Sequence, residues 1–235
     1  MTLNEVMAEL KRLGSAQQRK TYSNHGARGE MFGVKIGDLK GVVKKIKGDQ
    51  ALALELYSTG NLDAMYLAGL VADGGKMSRK DLNAWAKAAS WGMISEYTVA
   101  WVAAESPFAR ELALEWIDSP KESLTTTGWN TYSGLIAMKP DSELDLGEIT
   151  ALLGRVEKEI HTAPNRVRYC MNNLVIGVAS YVKPLLAKAK AAAKKIGKVE
   201  VDMGDTACKV PLATEYIQKI ESMGRVGMKR KTMKC

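Results

Sequence analysis

The 235 residues carry 34 Lys and Arg against 26 Asp and Glu, a net charge of +8, and 46% of them are apolar. That supplies enough material for a continuous core and excludes a disordered chain. No run of about eighteen uncharged apolar residues occurs, which excludes a membrane-spanning helix, and the start MTLNEVMAELKRLG is already amphipathic and acid-bearing, so a cytoplasmic protein is expected.

Helical periodicity recurs along the chain. Leu3, Val6, Met7, Leu10 and Leu13 form a first stripe, and Ile36, Leu39, Val42, Val43 and Ile46 a second. Leu62, Met65, Tyr66 and Leu70 follow, then Leu82, Trp85, Ala86 and Ala89, then Tyr97, Ala100, Trp101 and Ala104. Further on, Leu146 to Ile160 and Val167 to Val178 mark two long helices, and Leu185, Ala189, Ala192 and Ile196 line one side of a Lys- and Ala-rich helix. Breakers separate the stripes: Gly48-Asp49, Gly60-Asn61, Gly74-Gly75, Ser106-Pro107, Ser119-Pro120, Lys139-Pro140 and Ala163-Pro164. Short connections between helices of about 10 to 16 residues predict antiparallel neighbours in an all-α helical repeat array, an α-α superhelix without a strict sequence period.

One segment departs from this pattern. Residues 198 to 210, KVEVDMGDTACKV, read as a short β-hairpin or an ordered loop around Met203-Gly204-Asp205. A last short helix follows on Ala213, Tyr216, Ile217 and Ile220, and the ending GRVGMKRKTMKC carries five cations and no acid. The expected organisation is a single repeat domain over 1–222 and a basic, solvated tail over 223–235.

Charge is unevenly distributed. Residues 1–48 hold ten cations and four acids, 49–150 seven and fifteen, 151–182 four and two, and 183–235 thirteen and five. Basic ends around an acidic middle suit a polyanion if folding brings the ends together, and nucleic acid is the leading partner.

Motifs for catalysis are sparse. Gly26, Gly29 and Gly33 in HGARGEMFGVK lack the strand and the Lys-Ser/Thr ending of a phosphate cradle, so an interhelical loop is expected. Cys170, Cys208 and Cys235 are odd in number and far apart, and with only His25 and His161 to join them neither a disulfide framework nor a metal site is expected. No cofactor is implied, and the chain is expected to act as a monomer. Trp85 and Trp101 sit on apolar stripes and read as core, whereas Trp91 and Trp129 adjoin helix starts, where an indole can meet a nucleotide. Glu96, close after Trp91, reads as a helix-surface residue or as a carboxylate that steadies a sugar cation. Arg166 and Arg168 open a helix whose first amides suit a phosphate, and Asn172 and Asn173 either satisfy buried backbone or face a ligand. Lys198 and Lys209 in the hairpin segment and Lys229, Arg230 and Lys231 in the tail complete the expected phosphate contacts.

Taken together, Phe32-Gly33-Val34-Lys35 before a helix, ASWGMISE opening another, WIDSP followed by GWNTYSG, and HTAPNRVRYCMNNLVIGVASYVKP resemble the AlkD-like DNA alkylation repair family of HEAT-like repeat alkylpurine DNA glycosylases. The resemblance runs from about residue 30 to 195, and the closing segment resembles a subgroup of that family with no counterpart among its catalytic members. It implies a helical-repeat solenoid with duplex DNA in a basic channel. Active members excise N3- or N7-alkylated purines with an Asp, an Arg and flanking Trp residues. Here the Asp position falls on Glu96, the preceding Trp position on Gly92, the Arg position on Tyr132 and the later Trp position on Asn173. One role of four survives, as Glu for Asp. The resemblance therefore implies a DNA-binding protein that reads DNA structure, with weak or absent glycosylase activity. A working alkylpurine glycosylase using Glu96, and a helical scaffold for protein partners, remain the alternatives.

Overall fold

The computed structural model describes residues 1–234, and Cys235, one of the three thiols noted above, lies outside the described residues. Among the described residues the chain forms thirteen α-helices and no strand. Helices α1 (Leu3–Leu13), α2 (Ala16–Asn24) and α3 (Ile36–Ile46) form an N-terminal cap. Two rows follow. The outer row is α4 (Gln50–Ser58), α6 (Arg79–Ala88), α8 (Ala109–Ile117), α10 (Leu146–Glu159) and α12 (Leu186–Ile196). The inner row is α5 (Leu62–Val71), π-helical turns over Met93–Val99 that continue into α7 (Ala100–Ala104), α9 (Glu122–Met138) and α11 (Asn165–Tyr181), and α13 (Ala213–Ser222) packs on α11 and α12.

Polar residues at the expected breakers start these helices. Thr2 closes a capping box with Glu5, and the side chains of Asp49, Asn61, Ser78 and Asp145 each accept from a first-turn amide. The apolar stripes then interdigitate in two adjoining cores that meet at α8, which gives Leu112 and Trp116 to one and Ala109, Ala113 and Ile117 to the other. Gly128 lets α9 press on α8, since a Cβ there would lie 2.6 Å from the Ile117 amide nitrogen. Among the described residues, no helix is long and apolar enough to cross a membrane.

Helix α2 escapes the periodicity because none of its residues is buried; it is started by Ser15, whose hydroxyl accepts from the Gln18 amide. The Gly-rich stretch after it is the interhelical loop expected, and its anchor is Asp63. That buried carboxylate accepts from the amides of Phe32, Gly33 and Val34 at 2.6, 2.9 and 2.8 Å.

Of the two readings of residues 198–210, the ordered loop holds and the β-hairpin does not form. Asn165 takes the place of a partner strand: its Nδ2 donates to Asp202 O and its Oδ1 accepts from the Asp202 amide, each at 2.8 Å, and Asn172 Nδ2 donates to Pro211 O at 2.9 Å. With those backbone groups committed to side chains, the segment runs as a strap past the N-terminal end of α11. It reaches the cap, where Gly204, at φ +73°, passes so close that a Cβ would lie 2.5 Å from Asn24 O. The two basic ends of the sequence thus meet.

The tail is likewise not free. It crosses the C-terminal ends of the inner row in order: Gly227 N–H donates to Ser180 O, Arg230 N–H to Ala137 O, and Met233 N–H to Glu105. Lys229 turns inward to Ile136 O and Asp141 at 2.9 and 2.8 Å, and Lys234 to Ala72 O and Glu105, placing ammonium groups against helix C-termini. Met233 packs against the first core, far from its own sequence neighbourhood.

Replacing Asp63 by Ala leaves three buried or part-buried amides without their acceptor, an expected loss of about 3 to 5 kcal/mol in urea unfolding. Asp63→Asn, which retains one oxygen, should lose clearly less; equal losses would show that burial of the side chain, rather than its acceptors, sets the cost.

Candidate nucleic-acid interface

The π-helical turns fix the position of Glu96. After Trp91, whose carbonyl accepts from the amides of both Ile94 and Ser95, the chain widens by one residue per turn, and Thr98 Oγ1 closes back on Met93 O at 3.1 Å. Such widened turns re-aim the side chains they carry and recur at functional sites. Here they fold Glu96 back over Gly92, where a Cβ would lie 2.9 Å from Glu96 Oε1. A tryptophan at position 92, the residue implied for active relatives, is incompatible with this pose.

The Glu96 carboxylate is not offered to solvent. The residue is 2% exposed, and Arg166 clasps both oxygens, Nε to Oε1 at 2.7 Å and Nη2 to Oε2 at 2.6 Å. This is the planar two-pronged pairing that matches guanidinium to carboxylate. Arg166 is itself held: its amide donates to Glu122 Oε1 at 2.7 Å, its Nη1 reaches Met203 Sδ of the strap at 3.4 Å, and its guanidinium lies 4.5 Å from the Tyr169 ring centre. Asn130 Nδ2 donates to the backbone oxygen of Glu96 at 2.8 Å. Burial pushes the Glu96 carboxyl above the usual carboxylate range; the bonds and charge of Arg166 oppose that shift, and the nearby Glu122 charge adds to it. On Arg166 burial works downward, but the bond and charge of Glu96 outweigh it and the net shift is upward. The guanidinium stays charged throughout, so Glu96 is the member of the pair that titrates.

Around the pair, Tyr97, Asn130, Ser133, Arg166, Tyr169 and Asn173 are half-buried and line the open side of the inner row. Of the residues singled out in the sequence, Arg166 and Asn173 lie here, and Arg168 is half-buried nearby, its Nη2 3.4 Å from Asn165 Oδ1. Lys198, Lys209, Arg230 and Lys231 are exposed, whereas Lys229 is committed to the tail contacts. The aromatic residues are corrected. Trp91 is buried against Tyr22 and donates its Nε1–H to His25 O at 3.0 Å. Trp129 is wholly enclosed in the second core. Tyr132 is buried with its hydroxyl donating to Glu148 of α10 at 2.7 Å, on the side of α9 that faces the outer row. Each adjoins a helix start or polar run that suggests exposure, but the helices are apolar on several sides and draw these rings inward. The clasp between Glu96 and Arg166, 70 residues apart, leaves no local signal in the sequence.

The sequence profile of the DNA alkylation repair enzyme family matches residues 6–195. This chain belongs to that family. Uncharacterized proteins of Listeria monocytogenes serovar 1/2a and Listeria innocua serovar 6a are each 33% identical over 225 residues, covering 93% of this chain and 97% of theirs. A solved structure described as a new family of proteins related to the HEAT-like repeat DNA glycosylases, with affinity for branched DNA structures, superposes with a TM-score of 0.91 at 40% identity, covering all of both chains. The all-α architecture read from periodicity is therefore the HEAT-like repeat fold of these relatives. In this member of the family the Glu96 carboxylate is tied to Arg166.

Arg166→Ala should be costly, by about 3 to 5 kcal/mol near neutral pH, because it leaves a buried carboxylate uncompensated. The sign with pH follows from the upward shift. Without Arg166 the folded-state pKa of Glu96 climbs further above its unfolded value, so the contribution of Glu96 is fully favourable below the unfolded pKa and is lost as pH rises through the folded one. Urea titrations should therefore show a larger deficit at pH 8 than at pH 5. A deficit independent of pH would mean that Glu96 is not the charge Arg166 compensates.

Proposed function

We propose that this chain is a DNA-binding protein that reads DNA shape, branched structures included, and does not excise bases. The observation that carries the reading is the clasp on Glu96: a carboxylate with both oxygens held by Arg166, and with the strap against that arginine, has no oxygen free to steady a positive charge developing on a sugar. Glu96 and Arg166 act as one structural unit, and Trp91, Trp129 and Tyr132 support the inner row from behind. Phosphate contacts come from Arg168, Lys198, Lys209, Arg230 and Lys231, with Tyr97, Asn130, Tyr169 and Asn173 presenting polar edges beside them. The affinity of the structurally matched relative for branched DNA supports the same partner here. The protein acts as a monomer in the cytoplasm, without metal or cofactor.

The test pairs two assays on the purified chain. Duplex containing 7-methylguanine is incubated with it and scored for released base; no release above background is expected. Affinity for linear and branched duplex is measured across salt, with log K expected to fall linearly against log salt. Lys209→Ala should shallow that slope by about 0.9, one phosphate contact, without changing the preference between DNA forms. Base release that Glu96→Gln abolishes would overturn the non-catalytic reading, and no affinity for any DNA at low salt would overturn the partner.

A further inference from the structure

Helix α12 carries a feature that the inner-row interface does not use. It contains lysines at 188, 190, 194 and 195 and no acid. At about 100° per residue these fall in two rails, Lys190 with Lys194 and Lys188 with Lys195, on either side of a floor made by Ala187 and Ala191. All six residues are exposed, and the opposite side of the helix, Ala189, Ala192, Ala193 and Ile196, is buried in the second core. Among the described residues no further helix of the outer row covers this face.

The rails are held in place from both flanks. Lys188 Nζ lies 3.4 Å from Thr150 Oγ1 and Lys195 Nζ 2.8 Å from Glu157 Oε2, both on α10, while Lys190 Nζ lies 2.9 Å from Glu221 of α13. Lys194 has no ion pair among the described residues. An alanine floor between cationic rails allows a polyphosphate backbone to approach the helix closely, where bulkier floor residues would hold it away, and its two methyl groups offer too little apolar surface to anchor a protein or an acyl chain.

The structure assigns this face to a second DNA arm: resting on the reading that the chain binds branched DNA, we infer that α12 grips the phosphate backbone of a duplex other than the one on the inner row. Helices are about 10 to 12 Å across with their side chains, so two packed layers separate the α12 lysines from the Arg166 side of α11. One straight duplex does not lie on both sides of such a stack. Two arms diverging from a branch point do.

The experiment measures salt-dependent affinity of the full chain for a four-way junction and for a linear duplex of equal length. The charge variant replaces Lys188, Lys190, Lys194 and Lys195 by Gln, and the floor variant, Ala187→Gln with Ala191→Gln, keeps every charge. Helical signal and melting temperature establish that both fold. The charge variant should lose about tenfold or more in junction affinity near 0.1 M salt and shallow the junction slope by about 0.9 for each phosphate contact removed, leaving the linear slope unchanged. The floor variant should weaken the junction complex at an unaltered net charge, which a purely long-range charge effect does not do. Equal losses on both DNA forms, or none on either, overturn the assignment while leaving DNA binding itself intact. Wild-type binding to phosphatidylserine vesicles that the charge variant abolishes, with junction affinity unchanged, replaces DNA by an anionic membrane as the partner of this face. A wild-type protein that binds neither DNA form overturns this inference and the proposed function together.

Discussion

A single clasp between α11 and the π-helical turns determines what the inner row presents. An isolated carboxylate at 2% exposure is too costly to ionise in a helical core, and an arginine fork whose two bonds match its two oxygens makes it tolerable. The arrangement has three conditions: Gly92 must lack a side chain, the chain must widen by a residue so that Glu96 folds back, and Arg166 must open a helix that begins beside it. The pair is a cross-link between two helical repeats.

The C-terminal forty residues complete that role. Leaving α12 at Gly197, whose φ is +66°, the chain passes first as the strap beside the start of α11 and then as the tail over the C-terminal ends of the inner row. Helical repeats touch only their neighbours, so a solenoid bends at each interface. A segment bonded to α11, α9, Glu105 after α7 and Ala72 after α5 ties four repeats at once. Lys229 and Lys234 sit against helix C-termini, which anchors a tail rich in cations instead of leaving it solvated.

Much of the architecture is legible in the sequence because burial alone decides it. Stripes such as Leu39, Val42 and Ile46, or Ile149, Leu153 and Val156, bury the faces their spacing implies, and Gly60-Asn61 and Asp145 start helices where capping chemistry places them. What escaped is non-local. The hairpin expectation rested on alternation in KVEVD, yet its backbone found Asn165 at a distance of 37 residues in sequence. Trp129 adjoins polar threonines, but α9 is an inner helix packed on several sides, and a one-face pattern does not describe it. The resemblance pointed to Glu96 and could not show which arginine it meets.

The charge pattern gains meaning from the pairings. In the acidic middle, four of seven cations are spent on local ion pairs: Lys76 with Asp73, Arg79 with Glu111 and Glu115, Arg110 with Glu148, and Lys139 with Glu143. The excess acids there lie mostly on outer helices and their turns. A polyanion approaching the chain therefore meets uncommitted positive charge at the two ends of the stack, and these touch where Gly204 passes Asn24. Attraction concentrated where the ends meet rewards a ligand whose own charge is arranged to match it, which is a selection on shape. A single base held at the centre, beside a neutralised Glu96, would gain nothing from it.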